Sequence, residues 1–257
     1  MKIAVITGAS SGMGKQFVLA LDKSFSYDEI WVIARREERL KALQSDVKAR
    51  IRAVPMDLTD EAAAERLASV LKETQPEIKT LVNASGYGKF DEFANLPLEV
   101  YDDMIDLNVK AYVAVTYVCL PYMKKGSEIY QLASYSAFIP VPYINIYAAT
   151  KAFVLSFSRA LNVELKDRGI KVIAVCPYWV KTEFFDRAVT ENKVVNRIDR
   201  YHEPEKVVAR ALRDMKRGKD VSVVGASDRF RAFFMKVLPH RFAMKIWVKQ
   251  QKKNTDK

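Results

Sequence analysis

Cysteine and histidine are scarce in this sequence, with two of each among 257 residues. Cys119 and Cys176 are too few for a disulfide framework, and neither sits in a C-x-x-C pair, so a reducing compartment is expected. His202 and His240 lie in polar, charged surroundings, and no His/Cys/Asp cluster has metal-ligand spacing, so no metal is expected. Glycine and proline are limited to nine each, which excludes a collagen or a low-complexity linker. Long hydrophobic runs are also missing. The longest, 111–120, is short of the roughly 20 residues that a helix needs to span a bilayer. No charged leader with an apolar segment and a small-residue cleavage site precedes the strand-like start at Met1-Lys2-Ile3, and a cytoplasmic protein is expected. Acid is outnumbered, 31 against 42 basic residues, for a net charge of +11. That balance suits an anionic partner, but no helix-turn-helix, zinc-ligand set or stacked-aromatic motif supports nucleic-acid binding.

What the chain does have is alternation. Continuous apolar, β-branched runs at 3–6, 30–33, 51–54, 80–82, 128–132, 172–175 and 221–224 read as strands buried on both faces. Helical patterns lie between them, at 15–23, 37–46 and 61–72, with N-cap chemistry at Asp57-Leu58-Thr59-Asp60 before the third. Strand, helix, strand repeated along most of the chain predicts an α/β, doubly wound, Rossmann-type single domain of about seven parallel strands with helices on both faces. Composition shifts only near Arg229. The division is therefore one main α/β domain over 1–228 and a basic, aromatic extension over 229–257 that is not an independent domain.

The first strand ends in Thr7-Gly8-Ala9-Ser10-Ser11-Gly12-Met13-Gly14 and a helix follows. Glycines at 8, 12 and 14 permit a sharp turn and close approach to a pyrophosphate, and the helix N-terminus offers free N–H groups and a positive dipole end. Where an NAD site carries a carboxylate after the second strand, this chain has Ala34-Arg35-Arg36. Guanidinium groups suit a 2′-phosphate, so NADP(H) is favoured over NAD(H), with Arg35 the better of the pair.

Tyr147 and Lys151 stand four residues apart at the head of a helical run, which places them on one helix face. A phenol is a poor acid or base at neutral pH, and a neighbouring ammonium lowers its pKa. With Tyr147 and Lys151 in place, the sequence resembles the short-chain dehydrogenase/reductase family from about Lys2 to Val224. The glycine turn, Asp57-Leu58, Asn83-Ala84-Ser85-Gly86, Asn108 in Leu107-Asn108-Val109, Ser134 thirteen residues before Tyr147, and Cys176-Pro177-Tyr178-Trp179-Val180-Lys181-Thr182 occur in the family's order. The resemblance implies that Tyr147 is the acid or base, that Lys151 tunes it and holds the nicotinamide ribose, and that Ser134 bonds the substrate carbonyl. It also implies that Asn108 orders a water leading to Lys151. Coenzyme contacts are implied at Gly8, Ser10, Ser11, Gly12, Met13, Gly14, Arg35, Arg36, Asp57, Leu58, Asn83, Pro177, Val180 and Thr182. Three departures stand out: Ala84 replaces a second Asn, Tyr178 replaces the Gly after Pro177 and narrows the pocket, and Thr150 replaces a common Ser.

Residues 178–202 are expected to carry the substrate loop. Tyr178, Trp179, Phe184 and Phe185, with Tyr87, Phe90, Phe138, Pro140, Val141, Pro142 and Tyr143, give the expected site an apolar, aromatic lining. That suits a hydrophobic ketone or secondary alcohol such as a steroid, bile acid or lipid-like chain. The competing reading is a catalytically idle NADP(H)-binding redox sensor or scaffold. Family resemblance further implies a homodimer or homotetramer. In the extension, Phe230, Phe233, Phe234 and Val237 fall at helical spacing, Pro239 interrupts, and Phe242, Ile246 and Trp247 resume it. Basic residues from Arg229 to Lys253 are interleaved. Such a segment either docks on its own protein or a second subunit, or makes peripheral contact with a membrane.

Overall fold

Apolar runs that alternate between two faces need cover on both, and the structure supplies it. The structure, a computed structural model, describes residues 1–192, 194–195 and 200–252. Seven strands, β1 (Lys2–Thr7), β2 (Glu29–Ala34), β3 (Arg50–Pro55), β4 (Glu77–Asn83), β5 (Met123–Leu132), β6 (Lys171–Val175) and β7 (Val221–Ser222), form one sheet in the order β3-β2-β1-β4-β5-β6-β7. All its pairs are parallel. Successive side chains of β1 point to opposite layers: Ala4 and Ile6 join a core with Phe17, Leu21 and Val207, and Ile3 and Val5 join one with Leu67, Val115 and Leu161.

The first of those layers is built by α1 (Gly12–Ser24), α2 (Glu37–Lys41) and, much later in the chain, α8 (Pro204–Lys216). The second is built by α3 (Ala63–Thr74), α5 (Ala111–Cys119) and α6 (Asn145–Glu164). Between α3 and α5 lie α4 (Leu98–Ile105) and a π-helical turn, Asp106–Lys110. α7 (Phe184–Ala188) follows β6, and α9 (Ala226–Val237) and α10 (His240–Lys252) end the described chain.

Local expectations shift in three places. The helical run 37–46 splits into α2 and a 3-10 turn, Ala42–Asp46. The acids before α3 do not cap it. Asp57 Oδ1 accepts from the Thr59 N–H and hydroxyl, Asp60 Oδ1 accepts from the Ala62 N–H, and Ala62 itself stands at the N-cap. Two Asx-type turns thus use the carboxylates before the helix begins. The last strand is cut from 221–224 to Val221–Ser222, since it has only β6 to pair with.

The extension is not free of the domain. α9 already starts at Ala226, and buried Asp228 accepts from Arg200 and from His202 Nε2, the latter at 2.8 Å. Trp247 Nε1 donates to the Pro142 carbonyl at 3.0 Å. Of the expected substrate loop, residues 193 and 196–199 lie outside the described residues, as does Lys253 of the tail.

Candidate active site

Strand order reverses between β1 and β4, so the loops at their carboxyl ends splay apart and leave a crevice. A cavity of about 920 Å³ fills it.

At one end the β1–α1 turn forms the wall. Gly8 has φ +66°, and a Cβ on Gly14 would stand 2.2 Å from the Gly8 carbonyl oxygen, so only glycine lets α1 start against the end of β1. The positive end of α1 therefore opens on the cavity with Ser10, Ser11, Gly12 and Met13. Thr7 Oγ1 accepts the N–H groups of Ala84 and Ser85 at 3.1 and 3.2 Å. The backbone at Ala84 is thus anchored with no side-chain amide at that position.

Arginines close this end. Arg36 Nη2 donates to the hydroxyls of Ser10 and Ser11, each at 3.1 Å, and Arg35 Nη1 lies 3.6 Å from Asp57 Oδ2. Burial pushes the Asp57 carboxyl up, but bonds from Thr59 and the charge of Arg35 outweigh it and hold the group below its ordinary value. Across the cleft, Glu183 accepts from Arg39 at 2.8 Å and from Arg36 at 3.4 Å, and its carboxyl is lowered by those two charges despite some burial. No sequence pattern marks Glu183, which stands next to Thr182 in an irregular segment.

The other end is chemical. Tyr147 is in the first turn of α6 and Lys151 in the next. Lys151 Nζ donates to the Leu132 carbonyl at 2.8 Å, and lies 5.8 Å from the centre of the Tyr147 ring and 5.2 Å from that of Tyr112. Tyr112, which sequence reasoning passed over, donates its hydroxyl to the carbonyls of Ser85 (2.8 Å) and Leu132 (3.2 Å) and so joins the ends of β4 and β5. Ser134 Oγ accepts from the Ser136 N–H and hydroxyl. Burial raises the Tyr147 phenol to about 12, although a hydrogen bond with Ser134 pulls it down. Burial lowers the Lys151 ammonium to about 7. The expected depression of Tyr147 by Lys151 is not found: desolvation dominates both groups, the lowering influence on Tyr147 is the Ser134 hydrogen bond, and Tyr147 is a neutral phenol at physiological pH.

The structure sorts the remaining expectations. Gly8, Ser10, Ser11, Gly12, Met13, Gly14, Arg35, Arg36, Asp57, Leu58, Ser134, Tyr147, Lys151, Pro177, Val180 and Thr182 all line the cavity. Asn83 does not. Its amide donates to Thr116 Oγ1 and Gln131 Oε1, both at 3.0 Å, beneath the sheet, where it ties β4 to α5 and β5. Asn108 is fully buried in the π-helical turn. Its Oδ1 accepts from the Tyr87 N–H, and its Nδ2 donates to the Tyr87 carbonyl and to Thr150 Oγ1. Those bonds hold the β4 loop against α6, next to Lys151. Tyr87, Val141, Tyr178, Trp179, Phe184 and Phe185 line the cavity as expected, but Phe90, Phe138, Pro140, Pro142 and Tyr143 do not. Phe90 is buried behind the site, with its ring edge-on to Tyr147 at 6.4 Å and to Trp179 at 6.0 Å. Leu238, Ala243, Ile246 and Trp247 complete the apolar wall from the extension.

A reversed-order parallel sheet, a glycine turn at the switch point and a cavity-lining tyrosine with a buried lysine beside a serine define a nucleotide-crevice oxidoreductase. The family model described as short chain dehydrogenase matches residues 2–193, and the chain belongs to that family. Sulfoacetaldehyde reductase 2 of Chromohalobacter salexigens is 35% identical over 191 residues, 71% of this chain and 74% of the relative. Among solved structures, a short-chain dehydrogenase from Sphingobium yanoikuyae in complex with NADPH superposes with a TM-score of 0.79 at 28% identity, over 91% of this chain and 92% of that one. The bulky-bulky ketone specific alcohol dehydrogenase from Comamonas testosteroni gives 0.74 at 25% identity, over 91% and 90%.

Proposed function

We propose that this oxidoreductase interconverts a bulky, apolar ketone and its secondary alcohol with NADP(H). The observation that carries the reading is the half-buried Tyr147 phenol, bonded to Ser134 and set beside Lys151, at the meeting of the glycine turn and an aromatic wall.

The residues present fit the coenzyme. Gly8 and Gly14 leave room only for backbone at the turn, and Gly86 keeps a cradle open where a Cβ would stand 2.7 Å from Asn108 Oδ1 and 3.4 Å from Lys151 Nζ. The N–H groups at the start of α1 would hold the pyrophosphate, Arg35 and Arg36 a 2′-phosphate, Asp57 and Leu58 the adenine end, and Lys151 the nicotinamide ribose. When bound, the coenzyme supplies or accepts the hydride at the carbon centre. In reduction, Tyr147 Oη gives its proton to the carbonyl oxygen as that oxygen gains charge, and the Ser134 hydroxyl donates to the same oxygen. The phenolate that remains is stabilised by the Lys151 ammonium. In oxidation the proton moves the other way. The aromatic groups Tyr87, Tyr178, Trp179, Phe184 and Phe185, with Ile246 and Trp247, surround the reacting carbon with apolar surface. The Comamonas enzyme's bulky ketones and the Sphingobium protein's NADPH support the reading.

The test is a screen of ketones and secondary alcohols of increasing bulk with both coenzymes. Turnover is expected for bulky apolar carbonyls with NADPH. Coenzyme binding, seen as nicotinamide fluorescence, without turnover of any substrate would favour a redox sensor instead.

A further inference from the structure

The helices α9 and α10 are apolar on two sides, and the domain covers only one of them. On the inner side Ala232 is buried, Met235 packs on the core, and Leu238, Ala243 and Trp247 line the cavity. On the outer side Phe230, Phe233, Phe234 and Val237 follow i, i+3, i+4, i+7 along α9, and Phe242 is exposed on α10. Each of these five is at least 41% exposed. The Phe230 and Phe234 rings stand 4.6 Å apart, and Phe233 meets Phe234 edge-on at 6.0 Å, so the α9 rings form a continuous aromatic surface. Scattered exposed hydrophobics need no explanation, but a cluster of touching rings along one helix face does.

Charge decides among the partners that would cover it. Residues 226–252 contain seven Lys and Arg and a single acid, Asp228, which is buried and already bonded to Arg200 and His202. Arg229, Arg241, Lys245 and Lys249 are exposed, and among the described residues none makes an ion pair. A second copy meeting this face across a two-fold axis would set cations against cations. An anionic bilayer satisfies both halves of the pattern, with acyl chains for the rings and headgroup phosphates for the cations. No helix among the described residues is long and apolar enough to cross a membrane, and α10, with 13 residues, is only about 20 Å long.

We propose that the outer face of α9 and α10 docks on an anionic lipid bilayer, with both helices lying along the interface. Phe230, Phe233, Phe234 and Phe242 reach the acyl boundary, and Arg229, Arg241, Lys245 and Lys249 meet the headgroups. Since the inner side of α10 walls the cavity, docking brings that wall within about one helix diameter, roughly 10 Å, of the hydrocarbon.

Sedimentation of the full chain with vesicles tests this. The vesicles are pure phosphatidylcholine, or phosphatidylcholine with roughly one third phosphatidylglycerol, at about 0.05 M and about 0.5 M salt. Binding is expected to the anionic vesicles alone and to weaken at high salt. F230S/F233S/F242S is expected to weaken it at least tenfold, and K245Q/K249Q roughly 30-fold, at about 1 kcal/mol per surface cation. All substituted side chains are exposed, so circular dichroism should be unchanged. Absence of binding to the anionic vesicles overturns the proposal. So does binding that F230S/F233S/F242S leaves intact, which would mean charge attraction without insertion. A wild-type oligomer that the same variant splits in light scattering, with vesicle binding unaltered, would assign the face to a second copy.

Discussion

At the scale of single residues the site is governed by desolvation. The Tyr147 phenol, raised to about 12, stays protonated through neutral pH, so in the proposed role it would donate in reduction and would have to be ionised to serve oxidation. Initial rates of alcohol oxidation are therefore expected to climb between about pH 7 and 10, while ketone reduction shows no such rise. Tyr147→Phe keeps the ring and deletes the proton. It should lower turnover about 10²–10⁴-fold with coenzyme binding intact, and a loss under tenfold would remove Tyr147 from its role. Lys151 carries a separate signature in stability. Its pKa falls from 10.5 to about 7 on folding, so between those values the unfolded chain binds the extra proton and stability at this position rises with pH. Below about pH 7 the buried charge is fully unfavourable. Lys151→Met is expected to abolish turnover yet raise Tm by about 3 °C or more at pH 6.5, with the difference from wild type shrinking towards pH 10. A variant that melts lower at pH 6.5 would show that the bond to the Leu132 carbonyl outweighs the burial of charge.

At the scale of elements, the end of β2 and the start of α7 face each other through charge. Arg35 and Arg36 replace the carboxylate of an NAD site, and Ala34→Asp with Arg35→Ala is expected to move the ratio of kcat/KM for NADPH over NADH by at least tenfold towards NADH. Glu183 occupies two of the guanidinium groups nearby, Arg36 and Arg39. On the proposed reading its carboxylate would compete with a 2′-phosphate for them. Glu183→Gln should therefore lower KM for NADPH severalfold and leave KM for NADH unchanged, and an equal effect on both would refute the competition. These two predictions also mark what the sequence could tell. The arginines were legible because they sit at a fixed place after a strand. Glu183 was not, because its partners lie 144 and 147 residues away and nothing local distinguishes it from a solvated acid. Strand periods, the glycine turn and the four-residue step from Tyr147 to Lys151 are local patterns and survive into the fold. Asn83 looked like a coenzyme contact because of its motif, and only the layer beneath the sheet, with Thr116 and Gln131, shows it to be a brace. Tyr112 and the cavity wall from α10 depend on long-range packing with no short-range signal. The Asp57–Asp60 run carries a real turn signal, but its carboxylates are spent on Asx-type turns and the α3 N-cap falls two residues later, at Ala62.

At the scale of the whole molecule, the sheet is strongest in the middle and weakest at β7. Residues 3–6 of β1 are wholly buried and pair on both sides, while β7 contributes two residues to a single partner. Amide exchange followed by mass spectrometry should accordingly be slowest in β1, β4 and β5 and fastest, among the strands, in β7. Equal protection along all seven would contradict the ordering of the sheet. The central place of β1 also matters while the protein is being made. β1 leaves the ribosome before the other six strands, and β2 follows to cover one of its edges. Its other edge belongs to β4, which ends only at Asn83. At about 5–20 residues per second, the roughly fifty residues between the ends of β2 and β4 take about 2–10 s to appear. For that interval Ile3, Val5 and their neighbours present an open, apolar strand edge to solvent, and translation speed and chaperone supply govern whether it meets β4 or another nascent chain first.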